Sequence, residues 1–340
     1  MDCVKDSHLH KFNPSDTFEI GGVTLRNRVV LAPMSGVTDL PFRQIAWRYG
    51  AGLVVTEMIA SRELTFNTAE SWARLKGAGL KPHMVQLAGR EPAFMAEAAR
   101  ICEGEGADII DINIGCPAKK VTGGFTGSAL MREPERAIAL IEATVQAVKV
   151  PVTVKMRLGW DSDSLNAPEL AHAAEKAGAR AITVHGRTRM QFYKGRADWD
   201  AIAAVADRLT VPLIANGDVE TEADVSEIAR RSGATAVMLG RGCQGRPWHA
   251  GVLAGHSGPD AAETRAIVLE HYEAMMAFYG SHVGVRHARK HVAWYLERLA
   301  PSLDDGRKAE IMTARDPGFV LRQLEDILGD QGATEGRKAA

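Results

Sequence analysis

Only four cysteines, Cys3, Cys102, Cys116 and Cys243, occur in 340 residues. They form neither a CxxC pair nor a disulfide framework, which excludes a stapled secreted scaffold and fits a reducing cytosol. Metal-ligand spacing is also absent, so no metal is expected. No apolar run approaches the roughly 20 residues that span a bilayer. Met1–Pro14 is polar and lacks the apolar core of a signal peptide, so the sequence predicts a cytoplasmic protein with no membrane segment. Charge of one sign is missing too: 41 Lys and Arg stand against 42 Asp and Glu, for a formal net charge of -1. Any contact with a polyanion must therefore come from a local basic face. No GxGxxG follows the first apolar strand, which removes the fingerprint of a dinucleotide-binding open sheet. No low-complexity segment is visible, and nothing demands more than a monomer.

What is present is a regular alternation. Short β-branched runs are predicted as strands at Val29–Ala32, Leu53–Glu57, His83–Leu87, Ile109–Ile114, Val152–Met156, Ala181–His185, Leu213–Asn216 and Ala236–Leu239. Most are almost continuously apolar, as parallel strands covered on both faces are. Helical patterns lie between them, with Pro92 and Pro134 at helix starts and Gly50, Gly106, Gly178 and Gly233 at helix ends. The connection after the second strand, Arg62–Lys76, is longer and less regular. This count predicts an α/β chain built as a (β/α)8 TIM barrel over residues 1–255. Residues 260–330 carry only helical periodicity, at Ala261–Tyr279, His287–Leu299, Arg307–Thr313 and Pro317–Leu328, and are expected to form a small all-α bundle. The polar tail, residues 331–340, is expected to fray.

The most telling segment is Asp111-Ile-Asn-Ile-Gly-Cys-Pro117, followed by Lys119, Lys120 and a glycine-rich run, Gly123, Gly124 and Gly127. It sets a cysteine where an apolar strand stops, the edge at which barrel enzymes do chemistry. Pro117 fixes the chain just after the thiol. An average cysteine is a small buried hydrophobe. The flanking Gly and Pro and the basic loop point instead to a catalytic thiol.

Other strand ends add Pro33-Met34-Ser35, Gln86, Asn113, Lys155, Arg157, His185 and Arg187. Asn216-Gly217-Asp218 and Gly240-Arg241 are glycine turns after strands seven and eight, where such barrels hold phosphate on backbone N–H groups. Lys155 stands mid-strand among Val152, Val154 and Met156, and a lysine is almost never buried unpaired. A salt bridge would satisfy it; a lysine beside an electron-rich cofactor is the more economical account. His185 has the plainer alternative of a hydrogen-bonded core histidine, set behind a role in the site.

At this point the sequence resembles the bacterial tRNA-dihydrouridine synthases. The matching segments are Leu31-Ala-Pro-Met-Ser-Gly-Val-Thr-Asp-Leu-Pro-Phe-Arg43, Thr56-Glu-Met58, Val85-Gln-Leu87, Asp111–Pro117, Val154-Lys-Met-Arg157, His185-Gly-Arg-Thr188, Ala197-Asp-Trp199, Ile214–Asp218 and Gly240-Arg241. Arg286-His-Ala-Arg-Lys-His291 with Trp294-Tyr295 completes the set, so the likeness runs from about residue 16 to 325. It is closest to the branch that includes proteins once named as nitrogen-regulation factors.

The resemblance implies an FMN enzyme, reloaded by NADPH, that reduces the C5–C6 double bond of a D-loop uridine. Pro33, Met34 and Ser35 would line the flavin ring, with Ser35 a departure from the Ala or Gly of many members. Gln86 would bond the ring edge and Lys155 the N1/O2 side. His185 would lie near the ribityl chain and phosphate. Asn216, Gly217, Asp218, Gly240 and Arg241 would hold the ribityl and phosphate end. Asn113 would orient the uracil, and Cys116 would be the general acid. A uracil in folded tRNA must leave its stack. Lys119, Lys120 and Arg187 on the rim, and Arg286, Lys290 and His291 in the bundle, are the expected RNA contacts.

Two rivals remain: an FMN barrel acting on a small molecule, and a non-catalytic RNA-binding or regulatory protein. A small substrate does not require the basic rim and helical bundle. A pure binding module does not require Gln86, Cys116, Lys155 and His185. A sugar-phosphate isomerase or aldolase would leave Cys116 and the rim unexplained.

Overall fold

Alternate residues of each parallel strand face different layers, and that alternation sets the architecture. A computed structural model describes residues 12–118 and 126–338, with side chains described as far as residue 329. An antiparallel hairpin, β1 (Phe18–Ile20) and β2 (Val23–Leu25), precedes the sheet. There follow β3 (Val29–Leu31), β4 (Leu53–Val54), β5 (Ile59–Ala60), β6 (Met84–Ala88), β7 (Ile109–Ile114), β8 (Val152–Arg157), β9 (Ile182–His185), β10 (Leu213–Asn216) and β11 (Ala236–Leu239). Their order is β4-β3-β11-β10-β9-β8-β7-β6-β5, and every adjacent pair is parallel. The two ends of that sheet, β4 and β5, are consecutive in the chain. A parallel bridge from Val55, just after β4, to Met84 of β6 spans the gap, so the sheet closes into an eight-position barrel.

The second barrel strand is therefore split, where the sequence predicts one run over Leu53–Glu57. After Val55 the backbone leaves the ladder. Thr56 N–H donates to Met84 O at 3.1 Å, while Thr56 Oγ1 accepts from the Gln86 N–H at 3.0 Å. Glu57 turns its carboxylate to the Gly36 N–H at 2.6 Å. Polar side chains that bond nearby backbone compete with the ladder, and here they interrupt it.

Val30, Leu53, Met84, Ile109, Ala181, Ile214 and Met238 point inward at the lower end, where Phe18, Ile20 and Leu25 of the hairpin pack against them. Val29, Leu31, Val85, Ile110, Ile112, Val154, Met156, Val184 and Val237 point outward into the layer under the helices. Those helices are α1 (Leu40–Arg48), α2 (Ser61–Thr65), α3 (Ala69–Leu75), α4 (Pro92–Gly104), α5 (Pro134–Ala147), α6 (Ala167–Lys176), α7 (Asp200–Ala206) and α8 (Glu222–Ser232). Prolines open α4 and α5 at the positions that need no N–H donor. The irregular stretch after the second strand holds α2 and α3.

Beyond the barrel lie α9 (His249–Leu253), α10 (Ala261–Tyr279), α11 (Ser281–Leu299), α12 (Asp305–Thr313) and α13 (Pro317–Lys338). A capping box between Asp260 and Glu263 starts α10. α11 begins six residues before the predicted His287, because Gly280 (φ +75°) turns the chain sharply and Ser281–Gly284, with Val283 its one large apolar residue and that one exposed, shows no apolar period to reveal it. α13 runs on past Gly329, where the sequence predicts fraying; residues 330–338 are polar but contain no proline to end a helix. Val268, Tyr272, Met275, Val292, Leu296 and Leu324 form the bundle's own apolar cluster, which also takes in Ile45 of α1 and Trp248. Arg48 clasps Glu270 through two 2.8 Å hydrogen bonds, and Tyr279 Oη donates to Asp39 at 3.1 Å.

Candidate active site

At the upper end of the barrel the inward positions become polar. Gln86, Asn113, Lys155, His185 and Asn216 occupy strand ends around one cavity of about 1050 Å³. Pro33, Met34, Ser35, Cys116, Arg187, Gly217, Asp218, Gly240 and Arg241 line the same cavity. Sequence-predicted residues from seven of the eight barrel positions thus converge on one space. Register explains it: Gln86 pairs with Asp111, Asn113 with Lys155, and Asn216 with His185, so these residues stand side by side on neighbouring strands.

Lys155 Nζ donates to Asn216 Oδ1 at 3.0 Å. Among the described residues no carboxylate pairs with it. Burial and the neighbouring Arg157 guanidinium pull its ammonium down to about 8, while Asp111 pushes the other way. Asp111 lies beneath, taking hydrogen bonds from Gln86 Nε2 (2.7 Å) and Thr153 Oγ1 (2.6 Å).

Cys116 sits half-buried where β7 runs out. Its backbone N–H donates to Asn113 Oδ1 at 2.9 Å, as does that of Gly115 at 3.1 Å. Its carbonyl accepts from Ser128 Oγ at 2.9 Å. Cys102 and Cys243 are fully buried, and burial pushes both thiols up to about 12, so they are packing residues as expected.

The opposite wall carries the phosphate-type turns. Gly217 has φ +128°, and a Cβ there would stand 2.7 Å from Ala197 Cβ and 2.9 Å from His185 Cδ2. Asp218 accepts from Arg187 at 2.5 Å, from Arg241 at 3.1 Å and from the Ala197 N–H at 2.7 Å. The trio Arg187, Arg241 and Asp218 therefore leaves one surplus positive charge facing the cavity. Burial, followed by the charges of Lys155, Arg157, Arg187 and Arg241, holds His185 well below its ordinary pKa. As a neutral ring it can accept from Arg187 at Nε2, 3.3 Å away.

Two expected RNA contacts are corrected. Arg187 is 1% exposed, its guanidinium tied to Asp218 and to the Lys194 and Gly195 carbonyls, so it braces the wall and cannot meet RNA on the rim. His291 is 2% exposed and packs against Phe42, His271 and Trp294. Arg286 is exposed. Lys290 is half-buried, with its ammonium directly against Gly36 in the loop after β3. Lys119, Lys120, Gly123 and Gly124 lie outside the described residues. Asn113 faces the cavity, but its carbonyl oxygen is occupied by the Gly115 and Cys116 amides.

Sequence reading misses one wall of the cavity. Arg62, Glu63, Glu70 and Arg74 of α2 and α3, with Phe94 of α4, line it. No periodic signal marks so short a helical pair. It also misses Trp160, which lies 3.9 Å from the Arg132 guanidinium and 4.6 Å from that of Arg189. Among the described residues neither arginine has a carboxylate partner.

The family model described as dihydrouridine synthase (Dus) matches residues 30–324. The chain is 66% identical over 318 residues to a probable tRNA-dihydrouridine synthase of Rhizobium leguminosarum, a match covering 94% of this chain and 100% of that protein. It is 46% identical over 316 residues to tRNA-dihydrouridine synthase B of Xanthomonas axonopodis, covering 91% and 95% respectively. Among solved structures, a morphinone reductase variant in complex with tetrahydroNAD superposes with a TM-score of 0.54 at 14% identity, covering 74% of this chain and 94% of that one. That likeness bears on the barrel fold alone. The chain belongs to the dihydrouridine synthase family.

Proposed function

We propose that this chain reduces the C5–C6 double bond of a D-loop uridine in tRNA, with FMN as its bound flavin, NADPH as reductant and Cys116 as proton donor. One observation carries the reading: a thiol on a fixed backbone shares a single cavity with a deep lysine whose ammonium donates to the neutral amide of Asn216 and with two glycine turns backed by arginines.

The cavity suits a flavin mononucleotide in both shape and charge. Large planar ligands need deep, mostly preformed pockets. Lys155 places positive charge at the floor, where an electron-rich ring edge would rest. Arg241 and the turns at Gly217 and Gly240 supply charge and backbone donors for a phosphate. Pro33, Met34 and Ser35 form the face between them. When bound, the flavin supplies the hydride, a step that side chains cannot perform.

The remaining work falls to the chain's own residues. Lys155 offsets negative charge gathering near its ammonium. The Cys116 thiol donates a proton to C5 of the uracil, and such general acid catalysis contributes roughly 10² to 10⁴ in rate. A base can reach this depth only if it leaves the tRNA stack. Arg286, Lys290 and the guanidiniums beside Trp160 offer positive charge outside the cavity for the surrounding backbone, with Lys194 and Arg196 exposed on the loop after β9. We assign flavin chemistry to residues 1–255 and tRNA docking mainly to residues 260–330, in a chain that works as a monomer.

The test is reconstitution. Purified protein titrated with FMN should bind it and, with NADPH, convert uridine to dihydrouridine in an unmodified tRNA transcript. Flavin binding with no dihydrouridine on any tRNA would favour a small-molecule substrate. Failure to bind flavin would favour a non-catalytic RNA-binding role.

A further inference from the structure

Gln86, Asp111 and Thr153 stand in one row across β6, β7 and β8, and Asn113 lies one layer higher. Their side chains form a single hydrogen-bonded chain. Thr153 Oγ1 donates to Asp111 Oδ1 (2.6 Å), and Gln86 Nε2 donates to Asp111 Oδ2 (2.7 Å). Asn113 Nδ2 donates to Gln86 Oε1 (2.8 Å). Asn113 Oδ1 finally accepts the N–H groups of Gly115 (3.1 Å) and Cys116 (2.9 Å).

The two ends of this chain have fixed polarity. A carboxylate can only accept, and a backbone N–H can only donate. The two amides between them could each turn over, since exchanging oxygen and nitrogen changes their shape little. With Asp111 accepting at one end, Gln86 must present its NH2 downward and its carbonyl to Asn113. Asn113 must then present its NH2 to Gln86 and its carbonyl to the Cys116 backbone. Both amide orientations follow from one buried carboxyl group. Asp111 and Thr153 are each 1% exposed, and neither lines the cavity.

We propose that Asp111 is a positioning residue for Cys116, setting the direction of a hydrogen-bond chain that holds the Gly115–Cys116 backbone through Gln86 and Asn113. The activity part of the test rests on the dihydrouridine synthase reading; the structural part does not, because it needs neither flavin nor tRNA.

The substitutions Asp111→Leu and Asp111→Asn separate this role from simple packing. Leu removes the terminal acceptor, leaves Gln86 Nε2 without a partner and frees both amides to turn. Asn keeps the polarity: its carbonyl accepts from Gln86, and its NH2 donates to Thr153, whose hydroxyl can accept as well as donate.

Hydrogen exchange of the Gly115 and Cys116 amides in the apoprotein reads the chain directly. We expect exchange about tenfold or more faster in Asp111→Leu and within about threefold of wild type in Asp111→Asn. In the loaded enzyme kcat should fall about tenfold in Asp111→Leu, and Asp111→Asn should restore most of it. Unchanged exchange in a folded Asp111→Leu protein overturns the proposal, as does an Asp111→Asn protein as impaired as Asp111→Leu. Should Asp111→Leu fail to fold, Gln86→Met cuts the chain between Asp111 and Asn113 at similar volume and must speed exchange at the same two amides in the apoprotein; no change there also overturns it. If wild-type protein modifies no tRNA, the functional reading fails and the exchange data still decide the chain.

Discussion

Lys155 and Asn216 meet 3.0 Å apart across the barrel interior, the ammonium donating to a neutral carbonyl oxygen where a buried lysine would ordinarily find a carboxylate. A cation held this way is costly in the empty site and useful once negative charge arrives. It also lowers the pH at which the amine becomes a nucleophile.

Burial followed by Arg157 brings Lys155 to about 8, from a usual 10.5. Amine-directed acylation of the apoprotein should therefore modify Lys155 at about pH 8.5, well ahead of exposed lysines, and peptide mass spectrometry identifies the site. Labelling of Lys155 only with the bulk lysines would show that the amine has an ordinary environment. Adding FMN should protect it.

Stability should fall on mild acidification. Burial holds His249 at about 4 and His271 at about 3, and keeps His291 well below the usual 6.5. Between about pH 6.5 and 4 the unfolded chain takes up protons at these three positions and the folded chain does not, so unfolding becomes more favourable as pH falls. Asp39 acts in the opposite sense. Burial raises its carboxyl to about 6, so the folded chain binds that proton first and gains stability over about pH 6 to 4. Burial also holds His83, His185 and His287 low and raises Asp111, so six groups against two predict a lower denaturant midpoint at about pH 5.5 than at about pH 7.5. A higher midpoint at the acid pH would contradict the burial assigned to these rings.

Arg187→Met should act through structure. It leaves Asp218 with Arg241 and the Ala197 N–H and strips the hydrogen bonds from the Lys194 and Gly195 carbonyls. We expect a loss of about 1–3 kcal/mol and weaker flavin binding together. Loss of tRNA affinity with stability and flavin binding intact would restore Arg187 to the RNA-contacting rim.

Strand period explains what was legible in the sequence. Val154 and Met156 face the helices while Lys155 between them faces the barrel, so a lysine in an apolar run already marks an inward polar layer. The same period places Gln86, Asn113, His185 and Asn216. His291 misleads because it follows Lys290 at the end of a basic cluster. Arg286 and Lys290 are four apart and share a helix face, whereas His291 lines up with Ala288, Val292 and Tyr295 on the buried one. The chain through Asp111 was hidden for another reason: its direction depends on pairing across three strands, and no single segment records it.

The most direct measurement is position-resolved nucleoside mass spectrometry of tRNA from a strain that lacks this gene and has no redundant synthase. The account predicts loss of a D-loop dihydrouridine, its return with the wild-type gene, and no return with Cys116→Ala, although that variant still binds FMN. Retention of every dihydrouridine in the deletion strain, or full restoration by Cys116→Ala, would contradict it.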